Sequence, residues 1–254
     1  MELLILMTLN PHIPRVIFVF LCIELFSAAT VGGGFKLTAS GQYTTATGGL
    51  RNVAAGDKTT VSGGVDNKVT MEGGTVSGGE LNTISGDYGI ISGGLDNTVD
   101  GRGAVVSGGL WNAALANTAA LVGGIYNNAS GEFSFVGGGH SCHTTGQMST
   151  VAGGHDNTAT GVLSTVSGGH SNLVSGFASA IAGGYDNEAS GSGAAVGGGI
   201  FNVASGAASV VVGGGQLRDE NNQFVGVGNT ASARWASVVG GQANNATGEH
   251  SAVL

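Results

Sequence analysis

Residues 149–169 read STVAGGHDNTATGVLSTVSGG, and within that stretch the chain returns to its starting point: Ser-Thr-Val-x-Gly-Gly opens at Ser149 and again, fifteen positions on, at Ser164. Working outward, the second glycine of a Gly-Gly pair falls at Gly34, Gly49, Gly64, Gly79, Gly94, Gly109, Gly124, Gly139, Gly154, Gly169, Gly184, Gly199 and Gly214, and the spacing never changes. After a twelve-residue insertion the period is expected to resume at Gly226 and Gly241, returning Asn229, Ala231 and Val238 to register. A fixed period of this kind is the signature of a repeat architecture, and fifteen coils are legible.

Counted from that second glycine, the other columns are nearly as regular. Three residues on stands an asparagine: Asn52, Asn67, Asn82, Asn97, Asn112, Asn127, Asn157, Asn172, Asn187, Asn202, Asn229 and Asn244. Five on is small or β-branched, as at Ala54, Val69, Ile84, Val99, Ala129, Ala159, Val174 and Ala189, and seven on is usually glycine again. Twelve on is a branched aliphatic, which supplies the candidate core: Val61, Val76, Ile91, Val106, Val136, Val151, Val166, Ile181, Val196, Val211 and Val238, with Leu121 and Val253 in the same column.

A circuit of this length has room for two short strands and two tight turns. Alternation within Ser164-Thr165-Val166-Ser167 sends Ser164 and Val166 to one face and Thr165 and Ser167 to the other. The valine face is assigned to the interior, opposite the small residue five on. Glycines mark the turns, where positive φ is needed. A helix is excluded because glycine at this density costs about 1 kcal/mol per position relative to alanine. The fold class expected is therefore all-β: a repeat β-solenoid. The asparagine column reads as a structural ladder, its amides bonding along the axis and closing the turn beside each glycine.

Composition agrees and removes several function classes. Glycine supplies 50 residues and proline only 2, without a Gly-X-Y period, so collagen is excluded. An apolar fraction of 41% with only 9% charged residues is the opposite of a disordered chain. A net charge of −8 and scattered basic residues speak against a nucleic-acid partner. Cys22 and Cys142 offer no disulfide framework. Arg15, the apolar run from Val16 to Phe26, and small residues at Ser27 and Ala29 read as a secretory signal peptide over residues 1–29, with Met7 as an alternative start. The roll is expected over residues 30–254, with a surface insertion at residues 215–225 and no membrane span in the mature chain.

No catalytic grouping is expected, and no metal or cofactor. Serine is abundant because the repeat uses it, and none stands in a Gly-x-Ser-x-Gly elbow between strand and helix. The aspartates at Asp66, Asp96, Asp156 and Asp186 lack the nonapeptide period of calcium-binding repeats, and their column lapses to Trp111, Tyr126, Ser171 and Phe201. His140, His155 and His170 share a column with Tyr185, Ile200, Leu110 and Ile125, which reads as a variable turn position, with His143 nearby. A threonine row at Thr45, Thr60, Thr75, Thr150 and Thr165, of the kind an ice-binding solenoid needs, is broken by Ile90, Val105, Ala120 and Phe135.

Segments such as Ser149-Thr-Val-Ala-Gly-Gly-His-Asp-Asn-Thr-Ala-Thr-Gly161 and Ser179-Ala-Ile-Ala-Gly-Gly-Tyr-Asp-Asn-Glu-Ala-Ser-Gly191 resemble the head repeats of YadA-like trimeric autotransporter adhesins. Those heads carry Ser-Val-Ala-Ile-Gly followed by an Ala-x-Gly turn, and the likeness runs over residues 33–254. It implies a single-stranded left-handed parallel β-roll that forms a homotrimer, secreted or held at the cell surface, and attaches to extracellular matrix protein, glycan or another surface as a virulence factor. The unit here is one residue longer, at Gly-Gly, and no neck, stalk or anchor sequence is recognised. A structural or surface-layer repeat protein without a specific ligand is the alternative expectation.

Overall fold

The computed structural model describes residues 28–218 and 220–254; the signal-peptide reading falls almost wholly outside them. Among these residues the fold is an all-β parallel solenoid of about fifteen turns, with no helix. Its coils fall into two compact units, one ending at Trp111 and one beginning at Asn112. In each unit every coil contributes one short strand to each of two parallel sheets. In the first unit one sheet runs through Thr45–Ala46, Thr60–Val61, Thr75–Val76, Ile90–Ile91 and Val105–Val106. The other runs through Val53–Ala54, Lys68–Val69, Thr83–Ile84 and Thr98–Val99. Partners are one full period apart, as Thr60↔Thr75 and Lys68↔Thr83 show. Each coil donates to its successor: the Thr60 amide bonds Gly74 O at 2.9 Å and the Lys68 amide bonds Asn82 O at 2.8 Å.

The interior is built as the alternation predicts. Val61, Val76, Ile91, Val106, Val136, Val151, Val166, Ile181, Val211 and Val238 are completely buried, and Val196 nearly so. Ala54, Val69, Ile84 and Val99 bury their side chains from the opposite sheet. A third interior column, ten residues on from the corner glycine, adjusts volume coil by coil. It holds Thr59 beside Ala54, but Gly74 where the partner is Val69 and Gly89 where it is Ile84. A Cβ on Gly89 would lie 2.7 Å from methyl groups of both Ile84 and Val99, so the larger aliphatic demands the smaller neighbour.

The glycines serve two purposes, and this modifies the reading that all of them mark positive φ. At the corner, Gly64 has φ +88°, and a Cβ there would lie 2.1 Å from Gly79 O and 2.5 Å from Asn67 Nδ2. Seven residues after the corner Gly49, Gly56 is absent from the positive-φ positions; glycine is required in that coil because a Cβ would lie 2.2 Å from Met71 O of the next coil. The left-handed conformation also falls on residues with side chains, two and nine positions after the corner. Asp66 has φ 55° and Lys58 φ 56°, and their amides bond back to Leu50 O at 2.9 Å and Gln42 O at 2.7 Å.

The second unit repeats this plan through Ala252–Val253. Its one interruption is an antiparallel hairpin, Gln216–Arg218 with Phe224–Val227. The sheets close across it in register, with Val203↔Thr230 and Val210↔Ser237. The coil does not restart at Gly226, however. Asn229 Nδ2 donates to Gly213 O at 2.8 Å and to Gly241 O at 2.9 Å, so Gly214, with φ +94°, is the corner of that coil. Gly226 lies inside the hairpin strand instead. Spacing alone cannot separate these two registers, because a Gly three residues before Asn229 mimics the repeat.

Candidate functional site

The asparagine column is buried almost throughout; only Asn244, in the last coil, is partly exposed. Asn67 shows the bonding. Its Nδ2 donates to Gly63 O at 3.0 Å within its own coil and to Gly79 O at 2.9 Å in the next, while its Oδ1 accepts from the Asn82 amide at 3.0 Å. The same set recurs at Asn52, Asn82, Asn127, Asn157, Asn172, Asn187, Asn202 and Asn229; Asn97 donates to Gly93 O at 3.1 Å and Gly109 O at 2.9 Å, and Asn112 donates to Gly124 O at 2.9 Å. These amides are consumed inside the fold and offer nothing to a ligand. Cys142 takes the ladder position in one coil; burial raises its thiol pKa above the ordinary range, so it is no ready nucleophile. The interior hydroxyls of Ser149, Ser164 and Ser209 are likewise buried and have no base beside them.

Chemistry open to solvent lies on the outward columns. One is the outer face of the valine-bearing sheet. In the second unit it passes through Phe135, Thr150, Thr165, Ala180, Ala195 and Val210 in direct strand register. Ala180, Ala195 and Val210 join Ala182, Gly197 and Val212 around a shallow apolar groove. Val212 is 53% exposed and Val210 37%. In the first unit the same column is threonine at Thr45, Thr60 and Thr75, then Ile90, which is 41% exposed, and Val105.

A second outward column escapes the sequence reading. Nine residues after the corner, at the left-handed turn position, stand Tyr43, Tyr88, Phe133, Met148 and Leu163, and Trp235 takes the equivalent place in the coil interrupted by the hairpin; all are well exposed. Its signal in the sequence is large side chains at a fixed phase, but the residue types vary too much to form a motif. Arg234 lies over the Trp235 ring, 4.2 Å from its centroid.

The third column holds the histidines. His140, His155 and His170 stack ring on ring at 4.7 Å per step, and Tyr185 continues the stack at 4.9 Å. His143 is not part of it; it lies in the other sheet between Asn128 and Thr158. The aspartates stand one position beyond this column. Asp66 takes a two-pronged bond from the Arg51 guanidinium of the preceding coil, which lowers its carboxyl pKa, and Asp156 bonds His155.

No helix among the described residues is long and apolar enough to cross a membrane. No known protein family matches the chain, and no curated protein is similar to it.

Proposed function

We propose that this chain is a non-enzymatic attachment module, secreted or displayed at the cell surface, that works as a homotrimer of β-rolls of the YadA-like head type. The observation carrying this reading is the apolar groove along Ala180, Ala195 and Val210 on the outer face of the valine-bearing sheet. Contiguous apolar surface of this kind on a water-exposed face marks a contact. Further copies of this chain are suited to it, because a β-roll presents the same column at the same spacing to its neighbours. The large side chains at the left-handed turns, among them Phe133, Met148 and Leu163, then remain outside to touch matrix protein, glycan or another surface.

Light scattering of the secreted chain is expected to give a mass close to three protomers. Ala195→Asp combined with Val210→Asp is expected to yield monomers whose circular dichroism still shows β structure. The trimer should bind immobilised matrix protein or glycan with saturation. A stable monomer at micromolar concentration overturns the trimeric head reading, and a trimer that binds no such surface leaves the structural or surface-layer role.

A further inference from the structure

We propose that His140, His155 and His170 form a site for one divalent transition-metal ion of the zinc, nickel or copper class, with His155 as the ligand shared by either neighbouring pair. Sequence alone argues for a variable turn position here. What the structure adds is the residue that follows each histidine. Ser141, Asp156 and Ser171 all adopt the left-handed conformation, with φ of 52°, 54° and 56°. That turn brings each side chain back against the preceding ring. Ser141 Oγ lies 3.1 Å from His140 Nδ1, Asp156 Oδ2 lies 3.0 Å from His155 Nδ1, and Ser171 Oγ lies 2.8 Å from His170 Nδ1.

The Asp156 contact decides which nitrogen of His155 is available. An ionised carboxylate only accepts, so His155 Nδ1 carries the proton, and in the neutral ring Nε2 presents its lone pair. A carboxylate on Nδ1 is also the support that metal-ligating histidines use to hold tautomer and orientation. The rings are parallel to within 4° and 8°, and each meets the following residue through Nδ1, so the three Nε2 atoms fall on one edge of the stack.

The spacing suits an ion shared by adjacent rings. Nitrogen ligands bind zinc at about 2.0–2.1 Å, so two of them on one ion stand no more than about 4 Å apart. The ring centroids stand 4.7 Å apart and the parallel rings aim their Nε2 lone pairs the same way, so binding turns adjacent rings toward each other as well as closing the gap. The side chains are free to lean, since His155 is exposed and His140 and His170 are half-exposed. Asp156 adds negative charge beside the pair: His140, His155 and Asp156 each place a ligand-type atom within 4.8 Å of the others. His140 and His170 are two stacking steps apart and cannot share an ion without His155. Imidazole ligands of this softness favour zinc, nickel and copper over calcium or magnesium.

The test is calorimetric titration of the untagged chain with zinc chloride at pH 7.5. One ion per protomer is expected. His155→Phe keeps an aromatic ring in the stack but has no nitrogen, and is expected to weaken zinc binding at least tenfold with the metal-free melting temperature unchanged. Asp156→Asn is expected to weaken it by roughly tenfold through the loss of its hold on His155. His143→Phe should leave binding as it was. Absence of zinc binding, binding indifferent to His155→Phe, or equal loss with His143→Phe overturns the proposal.

Discussion

The coil that carries Asn67 and the coil that carries Cys142 have the same backbone and different wiring. Asn67 takes an amide hydrogen bond from Asn82, gives two to glycine carbonyls, and so ties three successive coils together. Cys142 still receives the coil before it, since its amide donates to Asn127 Oδ1 at 2.9 Å. It passes nothing comparable forward. Its thiol makes long contacts, 3.6 Å to Gly154 O and 3.7 Å to His140 O, and meets the Asn157 amide through sulfur rather than through an amide oxygen. The difference teaches that coil geometry is held by the corner glycines and cross-coil strand bonds, while the asparagine adds the bond that couples neighbours. In a one-dimensional array that coupling is what makes repeats cooperative.

Three changes break or sharpen this comparison. The largest effect is expected from Asn67→Ala, which strands the Gly63 carbonyl and the Asn82 amide in the interior. With each buried group left unpaired costing about 1–3 kcal/mol, denaturant titration should show a loss of about 3 kcal/mol. A loss within error of a surface substitution would mean that water replaces the ladder freely.

Cys142→Asn is the reverse experiment and should stabilise the chain. The new amide can reach the Gly138 and Gly154 carbonyls and accept from Asn157, a gain of about 1–2 kcal/mol by the usual net worth of such bonds. A destabilised Cys142→Asn variant would show that this coil is shaped around sulfur.

The smallest effect is in pH dependence. Burial raises the Cys142 thiol pKa above its unfolded value, so the folded state holds its proton longer. Stability is therefore unaffected at neutral pH and is expected to decline as pH rises past the ordinary thiol range, near about 8.5. Cys142→Asn should remove that alkaline decline while leaving the rest of the profile in place, as denaturant midpoints at successive pH values would show.

Much of this molecule could be read before folding it. The period, the parallel pairing of residues one period apart, the buried valines and the inward asparagines all follow from residue type at fixed phase, because each coil meets the same environment as the last. The corner of the interrupted coil could not. Gly214 and Gly226 both precede Asn229 in a plausible phase, and only the bond from Asn229 to the Gly213 carbonyl separates them. The volume exchange between Ile84 and Gly89 was equally hidden, since it involves two columns on opposite sheets of one coil.

The histidines mark the same boundary. Sequence places His140, His155 and His170 at one phase, and therefore in one row, because the repeat length is constant. It does not say that Ser141, Asp156 and Ser171 turn through positive φ and fold back onto Nδ1 of each ring, nor that the rings stack to within 8° of parallel. Phase in a repeat is a property of the one-dimensional string. The direction in which a ring nitrogen points depends on the backbone of the following residue and on the coils above and below, and that exists only once the chain is wound.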